Sequence, residues 1–297
     1  MNKLIAFIVG LTLVGTEVFL ASAEQALEKV EKESPEDAPS IEQIIKKAED
    51  AYTHIKDYTG RINKTERFDN ELEKATLECK FAKPYKVYVK YVTSKKGMEA
   101  LYVQGWNDNE VKAHKGSFPD ITVNLDPYGG MAMDGNHHPI TQFGLGEMIK
   151  VIAKNLRKAK SRGEGDIKVS DGGVLFGQPV WKIQVRYPKG GYFTTAKEDE
   201  TLWDISKRTG QNMYLLLHAN KEYDDPDDPD EGDKVFVPRY YGGKGEMFFS
   251  KKTFLPVKTS TWDWNGRLYE SYEITEIKLN VNLTPKDFDP DNPQYDF

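Results

Sequence analysis

The sequence predicts an α+β protein. Its frame is a curved, half-barrel-like antiparallel sheet packed on two amphipathic helices, with a small strand–helix–helix–strand (βααβ) module inserted between two strands. Three observations carry this reading. Apolar residues alternate at period two over much of the chain, and only two long stretches return to helical spacing. Aromatics reach 12%, with 16 Tyr and 14 Phe, a content that suits strands better than helix bundles. A segment of about fifty residues, 191–240, differs in composition from both flanks and carries its own helix caps.

The chain begins with a positive residue, Lys3, an apolar stretch from Leu4 to Leu20, and the small-x-small triplet Ala21-Ser22-Ala23. This reads as a signal peptide over residues 1–23; a retained membrane anchor is the alternative, and Glu17 inside the stretch favours cleavage. Residues 24–39 are acidic, poor in aromatics and broken by two prolines, and read as a flexible linker. The expected location is outside the cytoplasm, periplasmic or cell-wall associated.

Ser40 opens the first helix with Gln43 three residues on, a capping box, and Ile41, Ile44, Ile45, Ala48, Tyr52 and Ile55 recur at helical spacing. Strands are expected at Thr59–Phe68, Leu72–Phe81, Tyr85–Tyr91 and Met98–Val103, separated by turns at Asp69-Asn70, Lys83-Pro84 and Lys96-Gly97. Gly144–Lys158 carries the second helix through Leu145, Met148, Ile149, Ile152 and Leu156. Strands follow at Asp166–Ser170 and Pro179–Tyr187. Beyond the inserted segment come Glu246–Ser250, Leu255–Trp264, the Asn265-Gly266 hairpin turn and Arg267–Val281. That last strand changes phase, since Tyr272 and Ile274 oppose Ile277, Leu279 and Val281 in parity. A bulge between the two sets would restore one buried face and bend the sheet.

Two apolar sets define the expected concave face. Tyr85, Val87, Val89 and Tyr91 share one parity, and Trp181, Ile183, Val185 and Tyr187 share another on a later strand. Both should face the two helices, either as filled core or as the wall of an apolar cavity.

Phe254-Leu255-Pro256-Val257, the Asn265-Gly266 hairpin, Leu283-Thr284-Pro285-Lys286-Asp287-Phe288 and the approach His138-Pro139-Ile140-Thr141-Gln142-Phe143-Gly144-Leu145 resemble an exported domain-of-unknown-function family placed near the outer-membrane lipoprotein carrier (LolA/LolB-like) fold. The resemblance covers residues 40–190 and 241–297. It implies an open half-barrel that holds an apolar ligand, a lipid or a lipoprotein.

Residues 191–240 resemble a LysM domain. Tyr192–Thr195 reads as a strand, Thr201 caps a helix with Asp204 at the third position, Gly210 closes it, Asn212 caps a second helix, and Lys234–Pro238 is a closing strand. The resemblance implies binding of peptidoglycan or another N-acetylglucosamine-containing glycan by Glu200, Thr201, Leu202, Asn220, Asp224, Asp225, Pro226 and Asp227. Asp224 to Asp233 carries seven acidic residues, which would repel peptide-stem carboxylates. A structural insert without glycan affinity therefore stands beside the glycan-binding reading.

The remaining chemistry is sparse. Basic residues number 41 against 47 acidic, a net charge of −6 that disfavours nucleic acid. One cysteine, Cys79, excludes an internal disulfide and a Cys-rich zinc site. His137-His138 near Asp134 is a minimal metal set, but adjacent side chains often diverge, and the pair reads as a loop leading into the helix. The acidic run at 224–233 lacks the order of a calcium loop. No cofactor or metal is expected, and no nucleophile elbow is present. The sequence therefore reads as a non-enzymatic binding protein, with a glycan hydrolase or a structural scaffold as the alternatives.

Overall fold

The computed structural model describes residues 38–68 and 70–297; the expected signal segment and nearly all of the linker lie outside them. Helix α1 (Ile41–Thr53) starts on the Ser40–Gln43 capping box, with Gln43 N–H donating to the Ser40 hydroxyl. Strands β1 (Asp57–Phe68), β2 (Glu71–Ala82), β3 (Lys86–Tyr91), β4 (Glu99–Val103), β5 (Val111–His114) and β6 (Thr122–Leu125) follow as an antiparallel meander. After a short helix α2 (Gly130–Met133) comes the long helix α3 (Leu145–Arg162), then β7 (Asp166–Leu175) and β8 (Gln178–Arg186). Residues 191–240 contribute β9 (Gly191–Thr195), α4 (Leu202–Thr209), α5 (Met213–Ala219) and β10 (Lys234–Pro238). Strands β11 (Lys244–Ser250), β12 (Pro256–Trp262) and β13 (Leu268–Leu279) complete the chain's sheet.

Among the described residues, eleven strands form one antiparallel sheet in the order β6-β5-β4-β3-β2-β1-β13-β12-β11-β8-β7. The last strand, β13, therefore closes on the first, β1, at the centre. Strands β5 and β6 are absent from the sequence reading, because four-residue strands are too short to show a period. The phase change in β13 is a bulge: Thr59 pairs with Lys278 but Arg61 with Thr275, and the extra residue is accommodated at Glu276, with φ 53°.

Helix α3 lies over one face of the sheet with Leu145, Ile149, Ile152 and Leu156 buried. Its first amide has no side-chain cap of its own. The Leu145 N–H donates instead to the Tyr58 hydroxyl of β1, at 3.2 Å, across Gly144 at φ 100°. Helix α1 is tied to α3 by the two-pronged Glu49–Arg157 pair, both contacts at 2.7 Å. The opposite face is partly covered by the C-terminal segment, where Tyr295 stacks on Tyr88 at 3.9 Å beside Leu101 and Phe288.

Within residues 191–240, β9 and β10 pair antiparallel and, with α4 and α5, enclose a separate apolar core of Leu202, Ile205, Met213, Leu216, Val235 and Val237. The module sits between β8 and β11, which are direct neighbours in the large sheet. It packs onto that sheet's end: the Asn212 amide donates to the His137 carbonyl at 3.0 Å, and the Tyr269 hydroxyl donates to Asn212 Oδ1 at 3.2 Å.

Candidate functional site: a cavity that ends on buried charge

Alternation along β1 turns Tyr58, Ile62, Lys64 and Glu66 toward α3. Register does the same for β13, pairing Ile62 with Ile274, Lys64 with Tyr272 and Glu66 with Glu270. The shared face is thus apolar at one end and charged at the other, with two carboxylates directly opposite each other. Helix α3 does not fill the space above it. A cavity of about 190 Å³ remains, its apolar part lined by Ile62, Leu77, Met148, Val151, Met247 and Ile274. Cys79 also lines it, and burial pushes its thiol up to about 12, so the group is a neutral wall rather than a nucleophile.

The charged end is almost fully withdrawn from solvent: His137 is 0% exposed, Glu66 2%, Glu270 5% and Lys64 6%. Lys64 Nζ donates to Glu66 Oε2 (2.7 Å), to the Gly135 carbonyl (2.5 Å) and to Asn136 Oδ1 (2.6 Å). The Tyr272 hydroxyl donates to Glu66 Oε1, and the His137 backbone N–H reaches the same oxygen at 3.2 Å. His137 Nδ1 lies 3.0 Å from Glu270 Oε2, while its Nε2 faces the Arg67 carbonyl at 2.9 Å. His138 Nε2 approaches the same Glu270 oxygen at 3.3 Å and the Tyr241 hydroxyl at 2.9 Å.

Burial alone would neutralise these groups, but the partners outweigh it. Glu270 is held far below the usual carboxylate range: burial opposes the shift, and the His138 and His137 rings overcome it. Glu66 is lowered against the same burial by Lys64 and His137. His138 is raised, its burial being outweighed by Glu270 and Glu66. Burial drives the Tyr272 and Tyr241 hydroxyls well upward, so both stay neutral donors. Aromatic rings wall the cluster, with Tyr269 stacked on His137 at 4.4 Å.

The hydrogen-bond register carries both apolar sets named from the sequence to this face: Val89 through Cys79 and Gly60, and Ile183 through Met247, Thr259 and Tyr272. Only Val185 and Tyr187 reach the cavity. Val87, Val89, Tyr91, Trp181 and Ile183 are buried away from it, and Tyr85 instead donates to the Ile140 and Phe143 carbonyls. The cavity belongs to the central strands, which the sequence reading had not singled out. The available signal was the even parity of β1, where Tyr58 and Ile62 give way to Lys64 and Glu66.

His137 and His138 do converge, though on Glu270 rather than on Asp134. Asp134 pairs with Lys95 instead. In the module, Leu202 is fully buried in the core, and Asn220 holds α5 to β10 by donating to the Phe236 carbonyl (2.9 Å) and accepting from the Phe236 N–H (2.6 Å). Those two side chains serve the module's packing. Glu200 pairs with Arg208 at 2.7 Å, and Thr201 is engaged as the cap of α4. Asp224, Asp225 and Asp227 are exposed with Pro226 between them, and the two loops meet where the Leu202 N–H donates to the Pro226 carbonyl at 2.8 Å.

Fold and site together define a class: a curved antiparallel sheet roofed by a helix over an apolar cavity that terminates on buried ionised groups. The chain belongs to the family described as "Protein of unknown function (DUF1571)", whose model matches residues 55–241 and 237–297. No curated protein matches it at a significant level. Among solved structures, the lipoprotein LppX of Mycobacterium tuberculosis is 11% identical with a TM-score of 0.38, over 82% of this chain and 99% of that one. A LolA superfamily protein from Nitrosomonas europaea is 10% identical with a TM-score of 0.29, over 85% and 98%. A chain of the Pseudomonas aeruginosa MucA/MucB complex is 9% identical with a TM-score of 0.40, over 83% of this chain and 59% of that one.

Proposed function

We propose that this chain is an exported ligand-binding protein whose cavity under α3 takes the apolar part of an amphipathic molecule. The observation that carries the reading is the cavity itself: about 190 Å³ of unfilled, mainly apolar space ending at Lys64, Glu66, His138, Glu270 and Tyr272. That volume is below the roughly 300–1,000 Å³ of common small-molecule sites, which suits a single narrow chain rather than a bulky lipid. With two carboxylates at its polar end, the site favours a neutral hydroxyl or amide headgroup over an acid. A role in catalysis gains no support there, since Glu66 and Glu270 are buried and a glycan strand needs an open cleft.

The test is a titration with environment-sensitive acyl probes ending in a hydroxyl or a carboxylate, on the wild type and on Val151→Trp, which places an indole in the cavity. Saturable binding of the hydroxyl probe, abolished in the variant, is the expected result. No binding to the wild type, or equal binding by the variant, overturns it.

The finer part of the reading is docking on peptidoglycan through residues 191–240. Its support is the LysM-like order of elements with a self-contained core, and two loops joined at Leu202 and Pro226. Retention on purified sacculi, lost when residues 224–227 are replaced by Ser-Gly-Ser-Gly, is expected; retention unchanged by that replacement removes the docking role.

A further inference from the structure

Two carboxylates, Glu66 and Glu270, face each other across β1 and β13 with one ammonium, Lys64, beside them. The carboxylates outnumber the ammonium, and His137 and His138 stand against the second of them, Glu270. That place is filled by a proton on a histidine or by a metal ion.

His137 is placed for the second of these. Its Nε2 donates to the Arg67 carbonyl, 2.9 Å away, and its Nδ1 stands 3.0 Å from Glu270 Oε2, where it either holds a second proton or takes a metal ion in its place. A ring N–H held by a backbone carbonyl, with the other nitrogen directed into a carboxylate pair, is the outer-shell arrangement that orients metal-ligating histidines. One ligand atom each from Glu66, His137 and Glu270 lie within 4.8 Å of one another, and all three residues are buried. Tetrahedral donors about 2.0–2.2 Å from one ion stand roughly 3.3–3.6 Å apart, a distance that small side-chain rotations reach from this spacing.

We propose that Glu66, His137 and Glu270 bind one divalent transition-metal ion, Zn²⁺ foremost, with His138 as the fourth ligand. Nitrogen and carboxylate donors in this ratio suit zinc and its neighbours rather than calcium or magnesium, which prefer oxygen alone. Lys64 does not block the site. When Glu66 turns to the ion, the ammonium keeps its bonds to the Gly135 carbonyl and Asn136 Oδ1. His138 lies outside the group of three, but it faces the cavity with Nε2 3.3 Å from Glu270 Oε2, so a turn of its ring away from the Tyr241 hydroxyl brings it to the ion from the open side. The site shares Glu66, His138 and Glu270 with the polar end of the cavity, but metal binding is read without any acyl ligand, so the two readings fail separately.

The experiment uses the mature chain stripped with a chelator, then titrated with Zn²⁺ and, separately, with Co²⁺. Elemental analysis after dialysis should give one zinc per chain, and Co²⁺ should give the intense visible bands of a four-coordinate site. Glu270→Gln should weaken binding by more than the roughly 10–100-fold that loss of an outer-shell partner alone produces. His138→Ala should keep the stoichiometry but change the Co²⁺ spectrum. A chain with Asp224, Asp225 and Asp227 all changed to Asn should bind as the wild type does. No stoichiometric zinc on the wild type overturns the proposal, as does zinc lost only in the acidic-loop variant. Should Glu270→Gln prove unfolded by circular dichroism, the His138→Ala spectrum decides, and bands identical to the wild type's refute the assignment.

Discussion

Replacing Lys64 by Met tests whether the charged end of the cavity is a coupled unit. The substitution keeps most of the side-chain volume and removes three hydrogen bonds, to Glu66, Gly135 and Asn136. Glu66 is 2% exposed and would be left ionised without its countercharge. Breaking one side of such a buried pair costs about 3–5 kcal/mol, a large part of the roughly 5–15 kcal/mol that holds a typical domain together. The companion variant Lys64→Met/Glu66→Leu removes both charges. It leaves the His137 backbone N–H without an acceptor, about 1–3 kcal/mol, while Tyr272 retains Glu270 at 3.3 Å. The double variant should therefore be more stable than Lys64→Met alone. Urea denaturation at pH 7 with a chelator present measures both. A loss under about 1 kcal/mol for Lys64→Met, or a double variant whose loss equals the sum of the two single losses, would refute the account of a charge-coupled cluster.

Gly144→Ala should destabilise the fold by roughly 2–4 kcal/mol, from a strained backbone at φ 100° and a Cβ that would stand 2.3 Å from the Tyr58 hydroxyl capping α3. Thermal unfolding checks this against Gly130→Ala, which meets nothing within 4 Å and should be near neutral. Asp263 holds the Asn265-Gly266 turn, and burial, which would raise its carboxyl, is outweighed by the Arg267 and Asn265 amides and the Arg267 guanidinium. Its folded value is thus depressed, so its stabilisation is full above the unfolded value near about 3.9 and is lost as pH falls through the folded one. Asp263→Asn should cost about 1.5–3 kcal/mol at pH 7 and clearly less at pH 3, read from urea midpoints; an equal cost at both pH values would remove the charge from the explanation.

Local patterns were enough for much of the frame. Ser40 with Gln43, Thr201 with Asp204, and the Asn265-Gly266 turn each act within four residues, so the helix starts and the hairpin are legible without any tertiary knowledge. The bulge in β13 was legible too, because a change of parity within one strand has few other physical solutions. The pairing of β1 with β13 was not, since those strands lie more than 200 residues apart in sequence and their register depends on every strand between them. That pairing sets Glu66 opposite Glu270 and brings His137 from a distant loop between them. It also sets the cavity over Ile62 and Ile274 rather than over Tyr85–Tyr91, with Met148, Val151 and Ile152 of α3 on its other side. Alternation tells which face of a sheet a residue occupies. Whether space is left above the face depends on where a helix from elsewhere comes to rest, and that is decided by packing among residues remote in the chain.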